Sequence, residues 1–294
     1  MFSKNDESLH GKETPSSARG WPWALFLLLL AFHAAVNIWW LRADNHPVRT
    51  DEESHMITTR QYYHTMFSTH HDTWMEKCVA ISKIPPSQPA HPPLMHLLGA
   101  TLMGLFGYGQ DVMASINTLM FLLTLTGCFL ILRRFLGPWE SLYAVFAVGF
   151  TPIVYCSSRF LMTDVISLTL AVWAVYALVR SRYFLHTGWV FTFAVFNGLG
   201  FLARSNTFVY YLMPCLFLIL LGAFSALPPL KRRCQFDRPF RTLLLNGTLT
   251  VVVTLGICVP WYFMHIHEFY DFWIYKHRGT SGGPITLVQQ NVSQ

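Results

Sequence analysis

Long apolar runs recur along this chain, separated by short polar or basic interruptions. A membrane-crossing helix needs about 20 mostly apolar residues. The runs Trp21–Leu41, Val112–Leu132, Trp139–Ser157, Val165–Val179, Trp189–Ala203, Phe208–Phe224 and Leu243–Met264 approach or meet that requirement. Pro93–Phe106 is shorter, starts behind Pro92 and ends at Gly107, which suits an interfacial or re-entrant helix. Between the first run and that helix, Glu52–Phe67 reads as a further helix with Met56, Tyr63 and Phe67 on one side. The pattern therefore predicts an all-α integral membrane protein with about seven transmembrane helices, and interfacial helices in a large first external loop. Residues 1–20 are polar and read as a disordered cytoplasmic tail. The first apolar run is long and has no small-residue cleavage site, so it is expected to remain as an anchor.

Composition agrees. The chain is 53% apolar and 16% aromatic, with only 12% charged residues, about half the charged share of a soluble domain. The net charge of +6 is no nucleic-acid signal, because the basic residues cluster between apolar runs and no nucleic-acid motif accompanies them. Arg133-Arg134, Arg180 with Arg182, and Lys231-Arg232-Arg233 with Arg238 and Arg241 follow alternate spans. The positive-inside rule puts all three clusters in the cytoplasm. Asp51, Glu52, His91, Arg159, Asp164, Arg204, Lys276, His277 and Arg278 then share the opposite, extracytoplasmic face. The six cysteines are scattered without a CxxC pair and read as small hydrophobes.

Each of these residues has a structural and a chemical reading. Asp51, Glu52 and Glu53 suit a helix N-terminus, and Thr50 with Glu53 has capping-box spacing. The same position suits a carboxylate held at the membrane surface as a general base. Thr163 or Asp164 would cap the helix that follows, and Arg159 would anchor at the interface. Together, Arg159 and Asp164 also offer a cation and an acid to an anionic lipid-linked sugar. Arg204 follows Gly198 and Gly200, which permit close helix approach, and a phosphate would satisfy it. The Lys276 to Arg278 run either touches lipid headgroups or binds one phosphate. His70-His71 and His265-x-His267 leave room for a divalent metal, but neither has a recognised metal spacing. Asn246 heads a glycosylation sequon within an apolar span, where it is unusable.

The order of these pieces resembles a known family. Asp51-Glu52 after the first span, His91-Pro92-Pro93-Leu94, Leu105-Phe106-Gly107, Arg159 through Thr163-Asp164, Gly198 through Arg204, and Pro260-Trp261-Tyr262 occur in sequence. Together they resemble the membrane domain of GT-C glycosyltransferases, in the branch holding protein O-mannosyltransferases and aminoarabinose transferases. The resemblance covers Trp21 to Arg278, and residues 279–294 would form an external tail. It implies a polyprenyl-phosphate sugar donor, an acceptor hydroxyl on protein, lipid or glycan, and no nucleotide. It implies catalytic roles for Asp51, with Glu52 beside it, and for Asp164. It places His91, where the family usually has lysine, and Arg204 near the lipid phosphate. Lys276, His277 and Arg278 match its basic segment only loosely. Members usually continue with more spans, so the chain is expected to be either the N-terminal part of such an enzyme or a shortened relative, in a bacterial inner membrane or an equivalent one. The competing classes are a flippase for lipid-linked sugars and a non-catalytic membrane scaffold. A flippase would favour charges buried in mid-span and repeated halves.

Overall fold

A computed structural model describes residues 20–44, 50–86, 91–182, 184–207, 209 and 240–277. Among the described residues all regular structure is helical. The helices are α1 (Trp21–Ala43), α2 (Thr50–Tyr63), α3 (Trp74–Ser82), α4 (Leu94–Phe106), α5 (Gln110–Leu132), α6 (Pro138–Gly149), α7 (Pro152–Ser157), α8 (Thr163–Arg180), α9 (Thr187–Ala203), α10 (Phe240–Met264) and α11 (Ile266–His277). Helices α1, α5, α8 and α10 are long and apolar enough to cross a membrane, and α4 and α9 are shorter apolar helices. The protein is an all-α integral membrane protein. The expected span Phe208–Phe224 lies, but for Val209, outside the described residues.

One expected span is not a single helix. The run Trp139–Ser157 divides into α6 and α7, with Thr151 extended at the break (φ −63°, ψ 120°). Pro152 is the cause: its ring lacks an N–H and disfavours the helical conformation in the residue before it. The expected helix Glu52–Phe67 is present, but its last turn, His64–Ser68, widens to π-helical geometry.

Helices α5 and α8 form the centre. Thr169 Oγ1 lies 2.9 Å from Thr124 Oγ1 and 2.9 Å from the Met120 carbonyl, and Trp173 Nε1 donates to Leu123 O at 3.2 Å. Such interhelical bonds contribute on average about 0.6 kcal/mol each in membrane proteins. Helix α1 covers α5 on one side, with Phe26 stacked on Phe129 at 4.2 Å. Its far side exposes Leu27, Leu28, Phe32 and Trp39, which suits lipid. On the other side α9 packs on α8, and α10 on α9. Gly198 makes the last contact possible, because a Cβ there would fall 2.8 Å from Ile257. Asn246 is buried and donates to Phe184 O, so the sequon's amide is occupied within the bundle.

Helices α2 and α4 pack across one end of this bundle. Met56 on α2 and Met95 on α4 join Met113, Leu161, Ile166 and Ala203 in one buried cluster. This cluster ties α2 and α4 to α5, α8 and α9. Phe67, past the end of α2, lies against Gly104 of α4, where any Cβ would collide with its ring.

Candidate active site

The short segment between α7 and α8, residues 158–162, is held by polar side chains from three other helices. Asn37 of α1 donates to Ser158 Oγ at 2.8 Å. Asn117 of α5 donates to the Phe160 carbonyl and, at 2.8 Å, to the Met162 carbonyl. Glu52 of α2 accepts the Leu161 N–H at 2.9 Å. Asn37 and Asn117 are fully buried, and Glu52 is 8% exposed. These groups satisfy an irregular backbone at a depth where unpaired polar groups are costly. The clamp sets the direction of Arg159 and the start of α8.

Arg159 is accordingly fixed. Its Nε donates to Asn37 Oδ1 at 3.1 Å, and its guanidinium lies 4.6 Å from the Trp40 ring centre and 4.1 Å from that of Tyr155. The expected side-chain cap of α8 is not formed: Met162 is the N-cap residue, without a side-chain cap bond. Asp164, in the first turn, instead forms an ion pair with Arg204. Arg204 is the residue that ends α9, in extended conformation, its N–H bonded to Gly200 O. The Asp164 side chain is 51% exposed and that of Arg204 29%. Exposed ion pairs contribute ~0–1 kcal/mol, so stability alone does not account for a fixed cation here.

Asp51 lies in the first turn of α2, exposed, directly before the buried Glu52. One turn further, His55 is buried against His91, their ring centres 4.8 Å apart, and His96 is 5.4 Å from His55 on the other side. Thr59 donates its only hydroxyl hydrogen to His55 O, so the 2.9 Å contact between Thr59 Oγ1 and His96 Nδ1 makes that nitrogen the donor. Burial first, then the charges of His91 and Arg204, push His55 down to about 3. Burial first, then Arg204, hold His91 down to about 4, against Asp51, which raises it. Both imidazoles are therefore neutral at pH 7. Arg204 and Asp51 thus act on the same imidazole in opposite directions.

Asp51, Glu52, His91, Asp164 and Arg204 thus gather at one end of the bundle, and Arg159 sits on the same clamped segment. Lys276 and His277 end α11, but their side chains, like all of Arg278, lie outside the described residues. The sequence reading missed His55, His96, Asn37 and Asn117. His55 had a usable signal, since it lies four residues after Asp51 on the same helical face. The two asparagines had none, because an amide in an apolar run does not name its distant partner. Among the described residues no group of three or more His, Cys, Asp or Glu is arranged to hold a metal ion. His265, in the turn between α10 and α11, contacts the Trp261 carbonyl.

Replacing Glu52 by Ala is expected to leave the Leu161 N–H unpaired, at a cost of about 1–3 kcal/mol. Glu52→Gln retains an acceptor oxygen and should recover most of the loss. Thermal unfolding in detergent measures both; equal stability of Glu52→Ala and the parent would refute the clamp's importance.

Residues 90–264 match the profile of the family described as dolichyl-phosphate-mannose-protein mannosyltransferase. Among solved structures, ArnT from Cupriavidus metallidurans bound to undecaprenyl phosphate is similar, with 20% identity and a TM-score of 0.61, over 88% of this chain and 44% of that one. The same protein in its apo state gives 18% and 0.59, with the same coverage. The S. cerevisiae protein O-mannosyltransferase Pmt1-Pmt2 complex bound to the sugar donor gives 13% and 0.57, over 89% of this chain and 35% of that one. The chain thus spans less than half the length of these structures. No curated protein matches the sequence.

Proposed function

The chain belongs to the dolichyl-phosphate-mannose-protein mannosyltransferase family, and from that premise we propose that it carries the membrane domain of a GT-C glycosyltransferase. In this reading residues 21–278 form the membrane domain, with 1–20 a cytoplasmic tail and 279–294 an external one. The donor is a polyprenyl-phosphate sugar, and the acceptor is a hydroxyl of a protein, lipid or glycan, on the extracytoplasmic face. The observation that carries the proposal is the meeting of Asp51, His91 and the Asp164–Arg204 pair at one end of an apolar bundle. An exposed acid, a fixed cation and a nearby lipid-facing surface are the parts that transfer from a lipid phosphate requires. The likeness to structures holding undecaprenyl phosphate or a sugar donor supports it.

Asp51 takes the proton of the acceptor hydroxyl as its oxygen attacks the anomeric carbon. The bond from that carbon to the phosphate oxygen breaks, and the polyprenyl phosphate leaves with the bonding electrons. A single displacement inverts the anomeric centre; retention would need a second carboxylate acting as nucleophile. Arg204 meets the charge that develops on the leaving phosphate, which is commonly the largest catalytic term. Asp164 aims Arg204, and Glu52 holds the segment that leads to Asp164. His91 lies beside the phosphate. Arg159, Lys276, His277 and Arg278 belong to the same face and add positive charge toward the anionic lipid.

Two measurements test this. The purified chain in liposomes is supplied with a polyprenyl-phosphate hexose or pentose, and transfer to added acceptors is followed. Reporter fusions after Leu41, Gly109 and Arg134 test the orientation, with external, external and cytoplasmic signals expected. A cytoplasmic signal at Gly109 would sink the external placement of α2 and α4.

A further inference from the structure

His55 and His91 face each other at 4.8 Å between the ends of α2 and α4. His91 Nδ1 is buried and has no hydrogen-bond partner among the described residues. Packing ties this place to the end of α9: Met56 follows His55, Met95 precedes His96, and both share a cluster with Ala203, the residue before Arg204. The groups that act on His91 and its neighbours are Asp51 and His55 from α2, His96 from α4, and Arg204 from the end of α9. In this setting the His91 imidazole is held neutral down to about pH 4, mainly by burial and secondarily by Arg204, with Asp51 opposing them.

An anion that docks on Arg204 inverts part of that balance. It offsets the guanidinium charge that disfavours the imidazolium, and its own charge favours protonation. The unpaired Nδ1 is a position for the added proton. Resting on the donor reading above, we infer that His91 takes a proton from solvent when the phosphodiester of the donor docks beside Arg204, so that donor binding and His91 protonation are one coupled event. No covalent bond changes in this step, since solvent supplies the proton and the imidazole holds it. His91 is a binding residue whose charge appears only with the ligand present. The empty site then avoids placing a second cation beside Arg204.

The sign follows from linkage. The free protein has His91 deprotonated above about pH 4, and the bound form keeps it protonated to a higher pH. Between those limits affinity falls as pH rises, by up to roughly tenfold per pH unit for one coupled proton. Below about pH 4 both forms carry the proton, and the dependence flattens.

The test titrates the purified full chain in detergent with a short-chain prenyl-phosphate sugar. Being a phosphodiester, that probe has no second ionisation to contribute protons of its own. Calorimetry between about pH 5 and 7, in two buffers of different ionisation enthalpy, counts the protons taken up. Uptake approaching one proton is expected, with the affinity loss just given. His91→Lys carries a permanent charge and should bind with no uptake and a flat profile; His91→Gln should bind more weakly, also without uptake. Binding by the parent chain without proton uptake overturns the coupling and leaves the donor reading standing. Unchanged uptake in both His91 variants overturns the assignment to His91. Equal uptake on phosphatidylglycerol micelles overturns its assignment to the donor. Absence of any binding refutes the donor reading, and the coupling with it.

Discussion

Replacement of Asp51 by Asn is expected to lower transfer from a polyprenyl-phosphate sugar by about 10²–10⁴-fold, the range that positioned general bases contribute. The substitution is nearly isosteric. Asp51 is exposed in the first turn of α2, and its backbone carbonyl, which accepts a bond from Ser54, is retained. The proton acceptor is removed, together with the charge that acts on His91. The main loss is expected to fall on kcat. Transfer at the parent rate, with membrane insertion verified, would refute the base assignment. The same variant separates enzyme from flippase: a flippase would keep moving the lipid-linked sugar, because it needs no base.

Replacement of Arg204 by Gln is expected to be the second largest loss, about 10²–10³-fold, the range for removing one donor to a developing anion. Asp164 is half exposed and can be solvated when its partner is gone, so folding should survive. The Ala203 foot of the site stays buried in its cluster, which keeps α9 against α2 and α4. If Arg204 binds the phosphate equally in ground and transition states, KM rises and kcat is preserved. If it meets charge that appears only on bond breaking, kcat and kcat/KM fall together. The proposal commits to the second pattern. Arg204→Lys should recover part of the rate, since it restores the charge without the planar fork. Parent activity in Arg204→Gln would remove the phosphate role.

How much of this was legible in sequence depended on the range of the interaction. Spans at α1, α5, α8 and α10 were legible because each is a local run of apolar residues about as long as a membrane is thick. The break between α6 and α7 was legible only in part. Pro152 was visible, but the apolar run continued past it, and hydropathy does not register a missing N–H. The acid Asp51 and the cation Arg204 could be placed at one end from topology alone. Their organisation could not. Asp164 read as a cap or as an acid acting with Arg159, and only the packing of α8 on α9 brings Arg204 to it. Glu52 read as a partner in catalysis, whereas its contact with Leu161, more than a hundred positions away, gives it a structural task as well. His91 read as an isolated substitution for a cation. Its meaning changes once His55 stands against it.

The clamp on residues 158–162 bears on how the protein is made. Asn37, Glu52, Asn117 and Thr118, which grip this segment, all precede it in the chain. During synthesis the ribosome therefore delivers these receptors before the segment they receive. The clamp can close as soon as α7 has left the insertion machinery, before α8 and α9 are complete. Arg159 and the first turn of α8 would then be oriented early, and α9 would arrive to find Asp164 already waiting for Arg204. The order of residues along the gene doubles as an assembly sequence for the site.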